Sequence, residues 1–400
     1  LLAELHRLAK FCTLSCPQAE GIGVKRIEHL DGLRGLAALA VTLSHFESLV
    51  NTVPTGAYEG RTLLHSLYTH VANGTFGVMI FFVLSGYVLL AGHGSNGRSA
   101  FAFGAVKRYF RLMPPILAAL LLATVLGNTV GLFHVEAAQL IGGHPWLENV
   151  SPQHLTFTEA IYQGLFGAFV GQHGYIGALW TMKVEFFGSL MLFAVAAIAY
   201  QQSWYAAVAG VIAVLLILLG GDVGLYLSLF FVGSIFLRYQ FSLPIWLLPV
   251  GLMLGLAKHY DIASQLLALP LPWLEEGAAS AAILLNAIGA AIVLLTLTRP
   301  SPLTVALASR PMVWLGRVSF SLYLCHLPVM QSFGLLTLVV AAPTIGVGPA
   351  AGLAFMVSVA VSLAVAELLT RLADIPAQRM ANWLARRILA IGKQPQPARA

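Results

Sequence analysis

From Ala278 to Leu297 the chain reads AASAAILLNAIGAAIVLLTL, twenty residues without a charge. A helix rising ~1.5 Å per residue needs roughly 20 residues to cross a ~30 Å hydrocarbon layer, so apolar runs of about 18 or more read as membrane-spanning helices. Ala206 to Leu219, with its neighbours, is a second such run. Composition agrees: 58% of the residues are hydrophobic and 10% charged, against roughly 25% charged in soluble domains. A β-barrel would need short segments of alternating polarity, and that alternation is absent. The expected fold is all-α, a polytopic membrane bundle of about 10 transmembrane helices.

The spans are expected near 29–50, 74–92, 112–133, 176–199, 204–220, 223–238, 243–258, 278–298, 312–336 and 347–370. Lysine and arginine accumulate in cytoplasmic loops, which orients the chain. With the N-terminus inside, eighteen basic residues fall on the cytoplasmic side, from Arg7, Lys10, Lys25 and Arg26 through Arg98, Lys107, Arg108 and Arg111 to the C-terminal group ending at Arg399. Arg61 and Lys258 fall outside, while Arg34 and Lys183 lie within spans. Both termini are therefore expected in the cytoplasm. The net charge of +6 reflects this orientation and does not point to a nucleic-acid partner. Most loop acids, among them Glu59, Glu136, Glu148 and Asp261, fall outside.

Three regions follow: a cytoplasmic amphipathic segment at 1–26, a transmembrane unit at 27–375 and a basic cytoplasmic tail at 376–400. Neither tail is expected to form a domain of its own. The opening LLAELHRLAKF is amphipathic and basic, suited to a membrane surface rather than to a signal peptide. The longest interruption, His134 to Tyr175, is an outer loop holding Trp146, His154 and His173, with a short helix expected near Thr158 to Val170. Cys12, Cys16 and Cys325 imply no disulfide framework. His65 and His70 do not have a metal-ligand spacing, and no metal site is expected.

Ionisable residues inside the spans carry the chemistry. LDGLRGLAALAVTLSHF places Arg34 and His45 eleven residues apart. At about 100° per residue they share one helix face, ~16 Å apart along the axis. Intramembrane ionisable groups are costly and line bundle interiors or aqueous cavities, although an arginine that reaches lipid phosphates and a histidine bonded to a neighbouring helix would give the same pattern. The fourth span opens LWTMKVEFF, with Trp180, Lys183 and Glu185; an acid and a base so placed can form a structural ion pair. In GRVSFSLYLCHLPV, Ser319, Tyr323 and His326 recur at spacings of four and three on one face. GVMIFFVLSGYVLL has Gly77, Ser85 and Gly86 for close helix packing. KRYFRLMPP puts Arg108 and Arg111 at an expected helix start, with Pro114 and Pro115 near the first turn. Such an arginine pair suits lipid phosphates or a phosphorylated cofactor.

With these motifs in this order, the chain resembles the acyltransferase-3 family of bacterial membrane acyltransferases over Ile27 to Ile375. The likeness rests on LDGLRGLAAL with Arg34 and His45, FFVLSGY, RYFR before proline, LWTMKVE and SFSLYLCHLPV. It implies a multi-pass protein of the bacterial plasma (inner) membrane that moves an acyl group, by default acetyl, from cytoplasmic acyl-CoA to a hydroxyl of a carbohydrate or lipid-linked glycan at the outer side. Relatives modify O-antigen, exopolysaccharide, peptidoglycan, nodulation factors and macrolides. Acyl-CoA is the donor substrate, and no permanently bound cofactor is implied.

Carried over, the resemblance makes His45 the catalytic histidine, acting as base or acyl carrier, with Arg34 its motif partner. Arg34, Arg108 and Arg111 would hold the CoA phosphates and lead its arm inward. Glu185 would orient the imidazolium, and Trp180, Ser319, Tyr323 and His326 would meet the acceptor. The chain departs from the family pattern at Lys183, where relatives often have a small residue, and near Gly188, where they often have an aromatic one. The hydrolase-like domain attached to some relatives is not expected. Two rival readings are acylation of a small secondary metabolite such as a macrolide and, from another class, transport of a lipid-linked glycan. Transport would favour broken helices or internal repeats, and no repeat is evident.

Overall fold

The computed structural model describes residues 27–50, 72–91, 98–141, 147, 156–256 and 278–391. Among them there is no β-strand. Twelve helices frame the bundle: α1 (Glu28–Val50), α2 (Gly74–Ala91), α3 (Arg98–Thr129), α4 (Trp180–Ala199), α5 (Tyr205–Leu219), α6 (Gly221–Tyr239), α7 (Leu248–Gly255), α8 (Ala278–Thr296), α9 (Arg310–Val329), α10 (Leu335–Ile345), α11 (Val347–Leu369) and α12 (Ile375–Ile391).

Among the described residues, six helical stretches are long and apolar enough to cross a membrane: Gly74–Ala91, Ser99–Thr129, Gly177–Ala199, Gly221–Tyr239, Arg310–Ile345 and Val347–Ile388. The chain is a multi-pass membrane protein. The other expected spans also coincide with helices, but α1 carries Glu28, Asp31 and Arg34 in its opening turns, and Tyr205–Leu219 and Ile245–Gly255 are shorter than 18 residues.

Several boundaries differ from expectation. α3 begins at Arg98, so Pro114 and Pro115 lie inside it rather than in its first turn. Each proline deprives a carbonyl one turn earlier of its N–H partner. Burial keeps the helix continuous: Leu112, Ile116, Ala119, Leu120 and Ala123 are all in the core, and packing of this kind supplies most helical stability in proteins. α9 and α10 are joined through a π-helical turn, Met330–Gly334, and α11 and α12 through another, Thr370–Asp374. Residues 376–391 of the expected tail are therefore helical, and α12 packs on α3 through Ala377, Ala381 and Ala385, buried at four-residue intervals. The outer-loop helix spans 157–170 and contains a π-helical turn at Gln163–Gly167. An additional helix, His134–Leu140, precedes it. Trp146 and His154 lie outside the described residues, as do Cys12, Cys16, His65, His70 and all of segment 1–26.

Close approaches at small residues hold the centre together. α1 packs on α9 and α2, while α2 also packs on α6. A Cβ on Gly77 would lie 2.8 Å from the Ala37 carbonyl oxygen, and one on Gly86 would run into the Phe230 carbonyl. Gly233 meets the Val83 carbonyl in the same way from the α6 side. Gly77 and Gly86 thus serve the packing read from the sequence; Ser85 is engaged elsewhere.

Candidate active site

A cavity of about 140 Å³ opens between five helices. α1 contributes Arg34, α2 contributes Phe81, Phe82 and Ser85, and α3 contributes Arg108 and Arg111; Thr181 and Glu185 come from α4, and Ser319, Phe320 and Tyr323 from α9. Six of the nine residues singled out from the sequence therefore meet in one place. Trp180 does not line this cavity and instead packs on Tyr226, ring centroids 5.2 Å apart. His45 and His326 do not line it either, although the His326 ring lies 6.0 Å from that of Tyr323.

The arginines are held by carboxylates. Arg108 donates to Glu185 from its terminal nitrogen and, through Nε, to the Ser189 hydroxyl at 2.9 Å. Glu185 also accepts from Ser85 Oγ at 3.1 and 3.2 Å. Arg111 donates to Asp374, in the second π-helical turn, and its guanidinium sits 5.3 Å from the Phe320 ring centroid. Gln378 Nε2 donates to the other Asp374 oxygen at 3.0 Å. Arg34 is 3.9 Å from Asp31. A guanidinium has five N–H donors, so these pairs leave it capable of meeting an anionic ligand as well. Among the lining residues three arginines face one glutamate.

The pairing suggested for Lys183 and Glu185 is not what the fold makes. Two residues along a helix turn the side chain by ~200°, so Glu185 faces Arg108 while Lys183 is exposed. Glu185 likewise has Arg108 and Ser85 as its partners, whereas the ring facing His45 is His326. Nε2 of His326 lies 3.1 Å from Nδ1 of His45, with ring centroids 5.0 Å apart. His45 Nδ1 is also 3.0 Å from the Val41 carbonyl, and His326 Nδ1 is 3.1 Å from the Leu322 carbonyl.

Tyr323 joins the cavity to this pair, its ring centroid 6.0 Å from that of His326. Its hydroxyl donates to the Ala178 carbonyl at 2.9 Å and lies 2.8 Å from Thr181 Oγ1. Ser319 donates to the Gly316 carbonyl at 2.8 Å. Sequence reading missed Asp374, Gln378, Ser189 and Thr181. Asp374 had a signal, an acid just beyond a long apolar run, but a span ending at 370 concealed it. The other three are ordinary polar residues until the fold supplies their partners.

The family model described as an acyltransferase domain, acyltransferase-3, matches residues 27–367. No curated protein and no solved structure shows significant similarity to the chain. The matched segment contains every arginine and histidine of the site and stops before Asp374.

Proposed function

The chain belongs to the acyltransferase-3 family, and from that premise we propose that it is an O-acyltransferase of the bacterial plasma membrane, moving an acyl group, acetyl by default, from cytoplasmic acyl-CoA to a hydroxyl of a cell-envelope or exported carbohydrate. The observation that carries this reading is the placing of three arginines on a partly aromatic cavity one tyrosine away from the His45–His326 pair. Arginine clusters suit the planar, multiply charged groups of a nucleotide phosphate. Phe81, Phe82 and Phe320 offer an apolar lining for the flexible arm that carries the thioester.

In this reading Arg108 and Arg111 hold phosphate oxygens, Arg34 lies along the path of the arm, and the thioester is delivered to His45. The acceptor oxygen attacks the thioester carbon while His45 takes the hydroxyl proton. The C–S bond then breaks, and the thiolate recovers that proton and leaves as CoA. An imidazole, which can both take up and give back a proton, is suited to both transfers. An acyl-histidine route would use the same side chain as nucleophile.

The ten-span arrangement with both termini cytoplasmic belongs to this proposal. It is supported by the strong bias of basic residues and by helices at all ten expected positions; short helices are accommodated by local thinning of the bilayer. Inverted membrane vesicles given [14C]acetyl-CoA should transfer label to their glycan fraction. His45→Ala should abolish it, and full transfer by that variant would sink both the base and the acyl-carrier versions. In a cysteine-free background, Arg379→Cys should react with an impermeant maleimide only from the cytoplasmic face.

A further inference from the structure

Carbonyl oxygens accept hydrogen bonds and never donate them, and this fixes the protons on two rings, one buried and one half-buried. His326 Nδ1 faces the Leu322 carbonyl at 3.1 Å, so the hydrogen of a neutral His326 belongs on Nδ1 and its Nε2 carries a lone pair. His45 Nδ1 faces two groups, the Val41 carbonyl at 3.0 Å and His326 Nε2 at 3.1 Å. With His326 Nε2 an acceptor, a hydrogen on His45 Nδ1 satisfies all three contacts, shared between carbonyl and ring. The reverse choice, a hydrogen on His326 Nε2, sets a bare ring nitrogen against each carbonyl and satisfies one contact of three.

We propose that His326 is the positioning residue for His45: as the acceptor on Nδ1–H it holds the tautomer in which His45 Nε2 is the basic nitrogen. This deepens the function proposed above and rests on it. The proton leaves the acceptor hydroxyl for His45 Nε2 as the ester bond forms, and leaves Nε2 for the CoA thiolate as the C–S bond breaks. While Nε2 holds it, the imidazolium Nδ1–H donates more strongly to His326 Nε2, so the second ring stabilises the charge as well as the orientation. Full burial of His326 excludes water from competing for that lone pair. The arrangement gives a neutral ring the task that a buried carboxylate has in serine-type triads. Glu185 is bound instead to Arg108 and Ser85, and Ser319 and Tyr323 spend their hydroxyl hydrogens elsewhere.

The test measures kcat and KM for [14C]acetyl-CoA in inverted vesicles containing the full chain. His326→Leu is expected to lower kcat about 100-fold, within the usual range for loss of acid–base assistance, with KM for acetyl-CoA unchanged. His326→Gln, whose side-chain oxygen can accept from His45 Nδ1, is expected to recover most of that loss. Unchanged kcat in His326→Leu, a rise in KM with kcat kept, or no recovery by glutamine would each overturn the proposal. The second measurement needs no variant to be active: 15N NMR of histidine-labelled wild-type protein, with His45→Gln identifying the His45 signals. A hydrogen on His45 Nδ1 is expected; one on Nε2 overturns the proposal. Full transfer by His45→Ala would remove the functional reading beneath it, whereas an inactive His45→Ala beside a fully active His326→Leu would remove this inference alone.

Discussion

Gly35 of α1 lies against the backbone of Gly316 of α9, so closely that a Cβ on Gly35 would sit 2.7 Å from the Gly316 amide nitrogen. His45 and His326 meet ten residues further along each helix. Equal offsets on both helices mean that α1 and α9 run parallel, and the glycine contact sets the separation at which the rings face each other. Gly35→Ala should force the helices apart, costing about 1–3 kcal/mol as overpacking generally does, and should lower turnover by loosening the ring pair. Thermal unfolding in detergent and [14C]acetyl transfer measure the two effects; wild-type values for both would show that the contact yields without consequence.

Arg108 and Glu185 form a largely buried pair across α3 and α4, with side chains 12% and 16% exposed. Removing one member of such a pair leaves the other charge uncompensated, typically a loss of about 3–5 kcal/mol when fully buried and less here. Arg108→Ala should therefore lower both stability and acetyl-CoA affinity. Glu185→Gln keeps an acceptor for Ser85 and should leave acetyl-CoA affinity equal or higher, because it removes the anion that competes for the guanidinium. Isothermal titration with acetyl-CoA distinguishes them; equal losses of affinity in both variants would contradict a phosphate-binding role specific to Arg108.

The helices were legible because an apolar run in a chain this poor in charge has one plausible fate, and the shared face of Arg34 and His45 was legible because helical spacing fixes it. Partnership across helices was not. The motif points Glu185 at His45, yet its place on α4 turns it to Arg108, and no local pattern says which of two distant helices a side chain will face. The same kind of motif places His326 at the acceptor, and only the approach of α1 to α9 at Gly35 and Gly316 brings it to His45. A double proline reads as a helix boundary unless the burial of Leu112 to Ala123 is known, so the sequence alone sets the start of α3 too late. The continuation of α11 into α12 depends on a π-helical turn, which has no dependable sequence signature.

Arg111 and Asp374 tie α3 to the turn that joins α11 to α12, the Asp374 side chain being 3% exposed. Since the same guanidinium lines the cavity, anchoring the last helix and shaping the site are one interaction. Arg111→Ala and Asp374→Ala should each destabilise the protein, and a double-mutant cycle should show them coupled by about 0.5–3 kcal/mol, as for groups in direct contact. Additive effects on the unfolding midpoint would mean that the two side chains act independently.

Tyr323 raises a sharper alternative, because its ring lines the cavity while its hydroxyl is engaged with α4. The hydroxyl donates to the Ala178 carbonyl at 2.9 Å and lies 2.8 Å from Thr181 Oγ1, which itself reaches that carbonyl at 3.1 Å. Two hydroxyls and one carbonyl satisfy each other in a site where Tyr323 is 5% exposed. A donor committed in this way is a tie between α9 and α4 rather than a group held ready for a developing oxyanion, which requires donors aimed at the reacting oxygen. Tyr323→Phe should then cost about 1 kcal/mol of stability, the usual net worth of a hydrogen bond, and reduce kcat by less than roughly tenfold. Thr181→Val should do much the same, and the pair should be less than additive. A loss of about 100-fold or more in kcat, the scale seen when an oxyanion donor is removed, with an unchanged unfolding midpoint would instead place Tyr323 in the chemical step.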